Sequence, residues 1–215
     1  MHEACQQLAN WRRYYPSVTE HLKMSVNVSA RELSHHCFQA DIDSALRASG
    51  LPAACLQLEI NEGVFRHHPE AVGQVLHDIR AMGTSIALDD FGTGYSSLSY
   101  IDRYEIDAIK VDRAFVLRML LHERSMAIMK SLLWLGKALS LDIIAEGVET
   151  EEQLHALQDM KCPLAQGYLL SRPMGPEQIQ HLLARQEGQS SQVCEATPDY
   201  TPGCALQQVA PDPSL

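Results

Sequence analysis

Two adjacent aspartates, Asp89 and Asp90, close the apolar run Ile86-Ala87-Leu88. Neighbouring carboxylates at the end of such a run repel each other unless a cation lies between or beside them. Oxygen ligands of the kind this chain offers (Asp, Glu and an Asn amide) suit Mg2+ or Mn2+ and not zinc. A pair of such ions can activate a water and stabilise the leaving oxygen of a phosphodiester. The same two aspartates could instead open the turn Phe91-Gly92-Thr93-Gly94 and cap the segment after it. Lys110, inside Ile109-Lys110-Val111-Asp112, puts a cation on an otherwise apolar strand. That is tolerated only if the amine meets an anion or reaches water, so a partnered lysine is expected. The ten histidines include the pairs His35-His36 and His67-His68 but no HExxH, and a surface or loop role is expected for them. The six cysteines never form a CxxC pair, which favours buried or idle thiols over a zinc site.

Short aliphatic runs must carry these residues. Met24 to Val28, Leu56 to Ile60, Ser85 to Leu88, Ala108 to Val111, Ile143 to Ala145 and a weaker run at Gly167 to Leu170 read as six strands. Helical patterns lie between them, at Glu3 to Tyr14, Phe38 to Ser49, Glu70 to Met82, Arg124 to Leu139, Glu151 to Met160 and Pro176 to Arg185. Gly50-Leu51-Pro52 and Gly83 stop two of these helices just before a strand. Alternation of this kind means parallel βα units. Almost every strand ends in a polar residue: Asn27, Glu59, Asp89-Asp90, Lys110, Glu146 and Gln166. An open doubly wound sheet gathers its ligand groups at one switch point, whereas a β/α barrel builds its site from many strand ends, so a barrel is expected.

A formal charge of −10 with no separate run of Lys and Arg excludes the electrostatic footprint of a DNA-binding protein. No stretch approaches the ~20 apolar residues of a membrane span, and Met1-His2-Glu3-Ala4 lacks the basic-then-apolar order of a signal peptide, so a cytoplasmic protein is expected. Residues 186–215 turn to Ser, Gln, Pro and Gly without periodicity and read as a disordered tail behind a domain of residues 1–185.

Taken in order, the motifs become specific. Asp89-Asp90-Phe91-Gly92-Thr93-Gly94-Tyr95-Ser96-Ser97-Leu98 resembles the DDFGTGYSSL segment of EAL-type cyclic-di-GMP phosphodiesterases. Ile109-Lys110-Val111-Asp112, Ala145-Glu146-Gly147-Val148-Glu149 and Gln166-Gly167-Tyr168 follow it as the family's KxD, AEGVE and QGY do. Val26-Asn27-Val28-Ser29 and Leu58-Glu59-Ile60-Asn61-Glu62 precede it and are similar to the family's VNxS and ELTE, with Asn61 where Thr is usual. The resemblance covers about residues 1–185.

It implies an α/β fold, a TIM-like β/α barrel, and hydrolysis of cyclic-di-GMP to pGpG at a two-metal Mg2+ or Mn2+ site. Asn27, Glu59, Asp89, Asp90 and Glu146 are the implied metal ligands, with Asp89 bridging. Lys110 would hold the attacking water or the phosphate, Gln166 would orient water or substrate, and Glu149 would fix the loop after Asp90, which in this family couples the site to a dimer interface. A homodimer is therefore expected, with upstream sensory or diguanylate-cyclase-like domains in a longer protein. The chain opens in a helix that resembles the one before VNxS, and no Glu-Ala-Leu occurs in it. The expectation is an incomplete barrel whose first two strands are missing, the second of them carrying a glutamate ligand and a substrate-binding arginine. The alternative is a catalytically silent module that binds cyclic-di-GMP or a protein partner.

Overall fold

The computed structural model describes residues 1–65, 69–92 and 98–193. Six strands form one sheet: β1 (Met24–Asn27), β2 (Leu56–Asn61), β3 (Ser85–Phe91), β4 (Ala108–Val111), β5 (Asp142–Ala145) and β6 (Leu164–Ala165). Their order in the sheet is their order in the chain, and β3 to β6 pair in parallel. A doubly wound sheet must reverse its strand order somewhere, so this order is that of an incomplete TIM-like β/α barrel. The helices are α1 (His2–Tyr14), α2 (Pro16–Thr19), α3 (Ala30–Leu33), α4 (Phe38–Ser49), α5 (Pro69–Ala81), α6 (Leu98–Arg103), α7 (Arg113–Met119), α8 (Glu123–Leu139), α9 (Glu151–Asp159) and α10 (Pro176–Val193). Among the described residues, no helix is long and apolar enough to cross a membrane.

The chain divides into two compact units. Residues 27–39 and 58–172 form the unit that carries the strand ends. Its core is aliphatic: Leu58, Ile60, Ile86, Ala87, Leu88, Ala108, Ile109, Val111 and Ala145 are fully buried, and Ile143 and Ile144 nearly so. All four residues of β4 are buried, which is why its run reads as continuously apolar apart from Lys110.

The other unit comprises residues 1–26, 40–57 and 173 onward. Within it α1 buries Cys5, Leu8 and Trp11, while Arg12 donates to the carbonyls of Thr19 at 2.6 Å and Glu20 at 2.9 Å. Two boundaries differ from the sequence reading here and at the sheet. Helix α10 does not stop at Arg185 but runs to Val193. Its Glu187 carboxylate accepts from the backbone amides of Ser17 at 3.2 Å and Val18 at 3.1 Å, satisfying donors that the first turn of α2 leaves open. Residues 194–215 of the expected tail lie outside the described residues. The last strand is Leu164–Ala165 and not Gly167 to Leu170. The chain turns there, with the Leu170 and Ser171 amides donating to the Gly167 carbonyl, and the missing side chain at Gly167 lets it pass close to the Val148 backbone.

Candidate active site

The site begins with an irregularity in β3. Leu88 pairs with Ile109 and Phe91 with Val111, so three steps on β3 face two on β4, a β-bulge at Asp89-Asp90. Consecutive side chains on a regular strand point to opposite faces. At the bulge Asp90 takes the left-handed conformation, with φ 54°, which an aspartate tolerates better than most residues. One carboxylate oxygen from each of Asp89, Asp90 and Glu146 then lies within 4.8 Å of the others. A regular strand could not deliver both aspartates to one cluster.

Lys110 stands at the centre. Its Nζ lies 2.7 Å from Glu59 Oε2, 2.8 Å from Glu146 Oε1 and 2.9 Å from Asp89 Oδ1, so β2, β3 and the end of β5 converge on one ammonium. The lysine and Glu59 side chains are only 4% and 2% exposed. Burial alone would push the lysine pKa down, but the charges of Glu59, Glu146 and Asp89 outweigh it and the pKa is raised. The expected partnered lysine is thus found, with three partners.

The carboxylates feel the opposite balance. Burial raises Glu146 to about 7 against the pull of Lys110, and the charges of Asp89 and Glu59 push the same way. Asp90 is raised by burial first and then by the charges of Asp89 and Asp112. Register extends the cluster: Ala145 pairs with Ala165, which places Glu146 and Gln166 at the next step, where Gln166 Nε2 donates to Glu146 Oε1 at 2.6 Å.

Asn27 closes β1 and is exposed, and the neighbouring Val28 amide donates to the Glu59 carbonyl. Glu149 is not drawn into the Lys110 cluster. Its carboxylate pairs with Arg113 at 2.7 Å, at the start of α7, whose N-cap is Asp112. The expected contact of Glu149 with the loop after Asp90 falls on Thr93 to Ser97, outside the described residues, as do His67-His68, Cys194 and Cys204. Sequence reasoning missed Arg113, whose only signal was a basic residue directly after the KxD run.

The donor set fits divalent cations. Asp89 Oδ1 is a buried carboxylate oxygen that receives no hydrogen bond among the described residues, meeting Lys110 as an ion pair only. Three carboxylates (Glu59, Asp89, Glu146) meet one ammonium, Asp90 adds a fourth within 4.8 Å of Asp89 and Glu146, and all these groups offer oxygens.

The raised Glu146 sets a pH dependence with a definite sign. A carboxyl group whose folded pKa lies above its unfolded value of 4.5 stabilises the fold below that value, and this contribution is lost as pH rises through about 7. In chelator the melting temperature is expected to fall between pH ~5 and ~8, to lose most of that slope in Glu146→Gln, and to lose it also in saturating Mn2+. Scanning calorimetry across that range checks it, and an unchanged slope in Glu146→Gln would assign the titration to another group.

The sequence model of the EAL domain family matches residues 1–173. The cyclic di-GMP phosphodiesterase NbdA of Pseudomonas aeruginosa is 37% identical over 174 residues, covering 81% of this chain and 22% of that protein. The structure of the EAL domain of Mycobacterium smegmatis DcpA superposes with a TM-score of 0.79 at 34% identity, covering 86% of this chain and 82% of that one. Klebsiella pneumoniae BlrP1 in a manganese and cyclic-di-GMP complex superposes with a TM-score of 0.70 at 30% identity, covering 80% and 43%. The chain spans less than a third of the length of the curated relatives it matches.

Proposed function

The chain belongs to the EAL domain family, and from that premise we propose that it hydrolyses one phosphodiester bond of cyclic-di-GMP, with Mg2+ or Mn2+, to give linear pGpG. The observation that carries this reading is the convergence of Glu59, Asp89 and Glu146 on the buried Lys110 Nζ, beside a bulge that adds Asp90. Such a site has more negative charge than its own lysine neutralises. NbdA is a phosphodiesterase of this dinucleotide, and BlrP1 binds it with manganese, which supports the same substrate and a divalent cofactor here.

Asp89, Asp90, Glu59, Glu146 and the Asn27 amide would hold the ions. The ions would supply a water of lowered pKa and charge stabilisation for the phosphate. Lys110, kept charged by its three carboxylates, holds a phosphate oxygen or the attacking water by its N–H groups. Gln166, donating to Glu146, fixes that carboxylate and keeps its own amide turned to the same rim. The expected homodimer and upstream domains belong to this proposal as its setting in a longer protein.

The test follows pGpG release from cyclic-di-GMP in Mn2+, beside cyclic-di-GMP binding in Ca2+. Release supports the hydrolase. Binding without release would favour the silent module.

Glu149 acts through Arg113 and so through the start of α7, directly after the Lys110 strand. Glu149→Ala is expected to lower turnover roughly 10- to 100-fold, the usual loss for a group that orients others, with Mn2+ affinity unchanged. Loss of metal binding in that variant would make Glu149 a direct ligand and this role wrong.

A further inference from the structure

The turn between α3 and α4 holds three consecutive residues, His35, His36 and Cys37, that the reading above does not use. Consecutive side chains in a turn usually diverge. Here one donor atom from each lies within 4.8 Å of the other two. The two imidazole centroids are 4.7 Å apart with 36° between the ring planes, and the Cys37 amide donates to His35 Nδ1 at a long 3.4 Å. The backbone beneath them is tied on both sides: the His35 amide donates to the Glu32 carbonyl in α3, and the Phe38 amide at the start of α4 donates to the His35 carbonyl, both at 2.9 Å. Both histidines are exposed and Cys37 is half-buried with a free thiol, so a solvated ion can reach all three.

We propose that His35, His36 and Cys37 form a Zn2+ site separate from the oxygen-lined cluster around Lys110. Two imidazole nitrogens and a thiolate are borderline and soft donors that favour zinc over magnesium or manganese. At Zn–N distances of about 2.0–2.1 Å and Zn–S of about 2.3 Å, donors around one tetrahedral ion lie about 3.3–3.6 Å apart. The donors, now within 4.8 Å of one another, must draw together by about 1 Å to reach that spacing. The long contact from the Cys37 amide to His35 Nδ1 is one that an ion bound at that nitrogen would replace. Water completes the fourth position, so the site is an open one.

Tag-free, metal-free protein titrated with Co2+ tests the assignment, because a bound thiolate produces a sulfur-to-cobalt charge-transfer band in the near ultraviolet that oxygen ligands do not. The expected result is such a band that saturates at one equivalent, is bleached by Zn2+, and persists in excess Mg2+. Cys37→Ser should abolish it, and the double variant His35→Ala/His36→Ala should weaken Zn2+ binding at least tenfold while circular dichroism shows both variants folded. No band in the parent, a band that survives Cys37→Ser, displacement by Mg2+, or unchanged Zn2+ affinity without the histidines would each overturn the site.

Discussion

Lys110→Met, in the presence of chelator, is expected to cost about 3–5 kcal/mol of stability, the usual penalty for removing one partner from a buried ion pair. The methionine fills a similar volume, so the loss is electrostatic. Glu59 is left almost fully buried with its charge, and Asp89 and Glu146 lose the ammonium that now lies 2.9 and 2.8 Å from them. The carboxylates must then take up protons or water, and either response weakens the packing of β2 against β3. Millimolar Mn2+ should return a large part of the loss, because an ion bound to the folded state alone stabilises it by mass action. Urea unfolding in chelator and in Mn2+ reads both effects. A variant as stable as the parent in chelator would mean that the three carboxylates do not depend on Lys110, and the charge balance described here would be wrong.

How far the sequence reaches into this site depends on the range of the interaction concerned. The strands β2 to β5 were legible because each is a short aliphatic run between turn residues, and that pattern depends only on local burial. Lys110 was legible as partnered because a cation among Ala108, Ile109 and Val111 must meet an anion or reach water. Its three partners were not legible from spacing, since they come from β2, β3 and the end of β5, and only the register of the sheet brings them together. The bulge was hidden for the same reason: Asp89-Asp90 has the same letters whether β3 is regular or carries an extra residue. At β6 the apolar Leu169-Leu170 misled, because the close approach of Gly167 to Val148 is a tertiary fact. The helix past Arg185 was obscured by a Gln- and Ser-rich composition, although Glu187 finds partners 169 and 170 residues away. The turn at His35 to Cys37 shows the converse. A sequence search for paired metal spacings passes over three adjacent residues, which converge only through the backbone bonds that fix the turn.

Asp89→Asn separates function from folding. The substitution keeps the shape of the side chain and removes one charge from the position the family resemblance makes the bridging ligand. If Asp89 helps hold two cations, hydrolysis of cyclic-di-GMP in Mn2+ should fall on the order of a hundredfold or more, as with other deletions of a charge aimed at the reacting centre. Mn2+ affinity should fall with it. Stability in chelator should move the other way or not at all. Lys110 retains Glu59 at 2.7 Å and Glu146 at 2.8 Å, while Asp90 loses one of the charges that raise its pKa. One repulsion disappears and no buried cation is left unpaired, so the usual cost of breaking a buried network does not apply. The measurements are pGpG release, a Mn2+ titration, and urea unfolding in chelator, all on the same preparation. Turnover and Mn2+ affinity near the parent values would remove Asp89 from the metal site. A large loss of stability in chelator would show instead that its contact with Lys110 is structural, and that any loss of activity follows from a damaged fold.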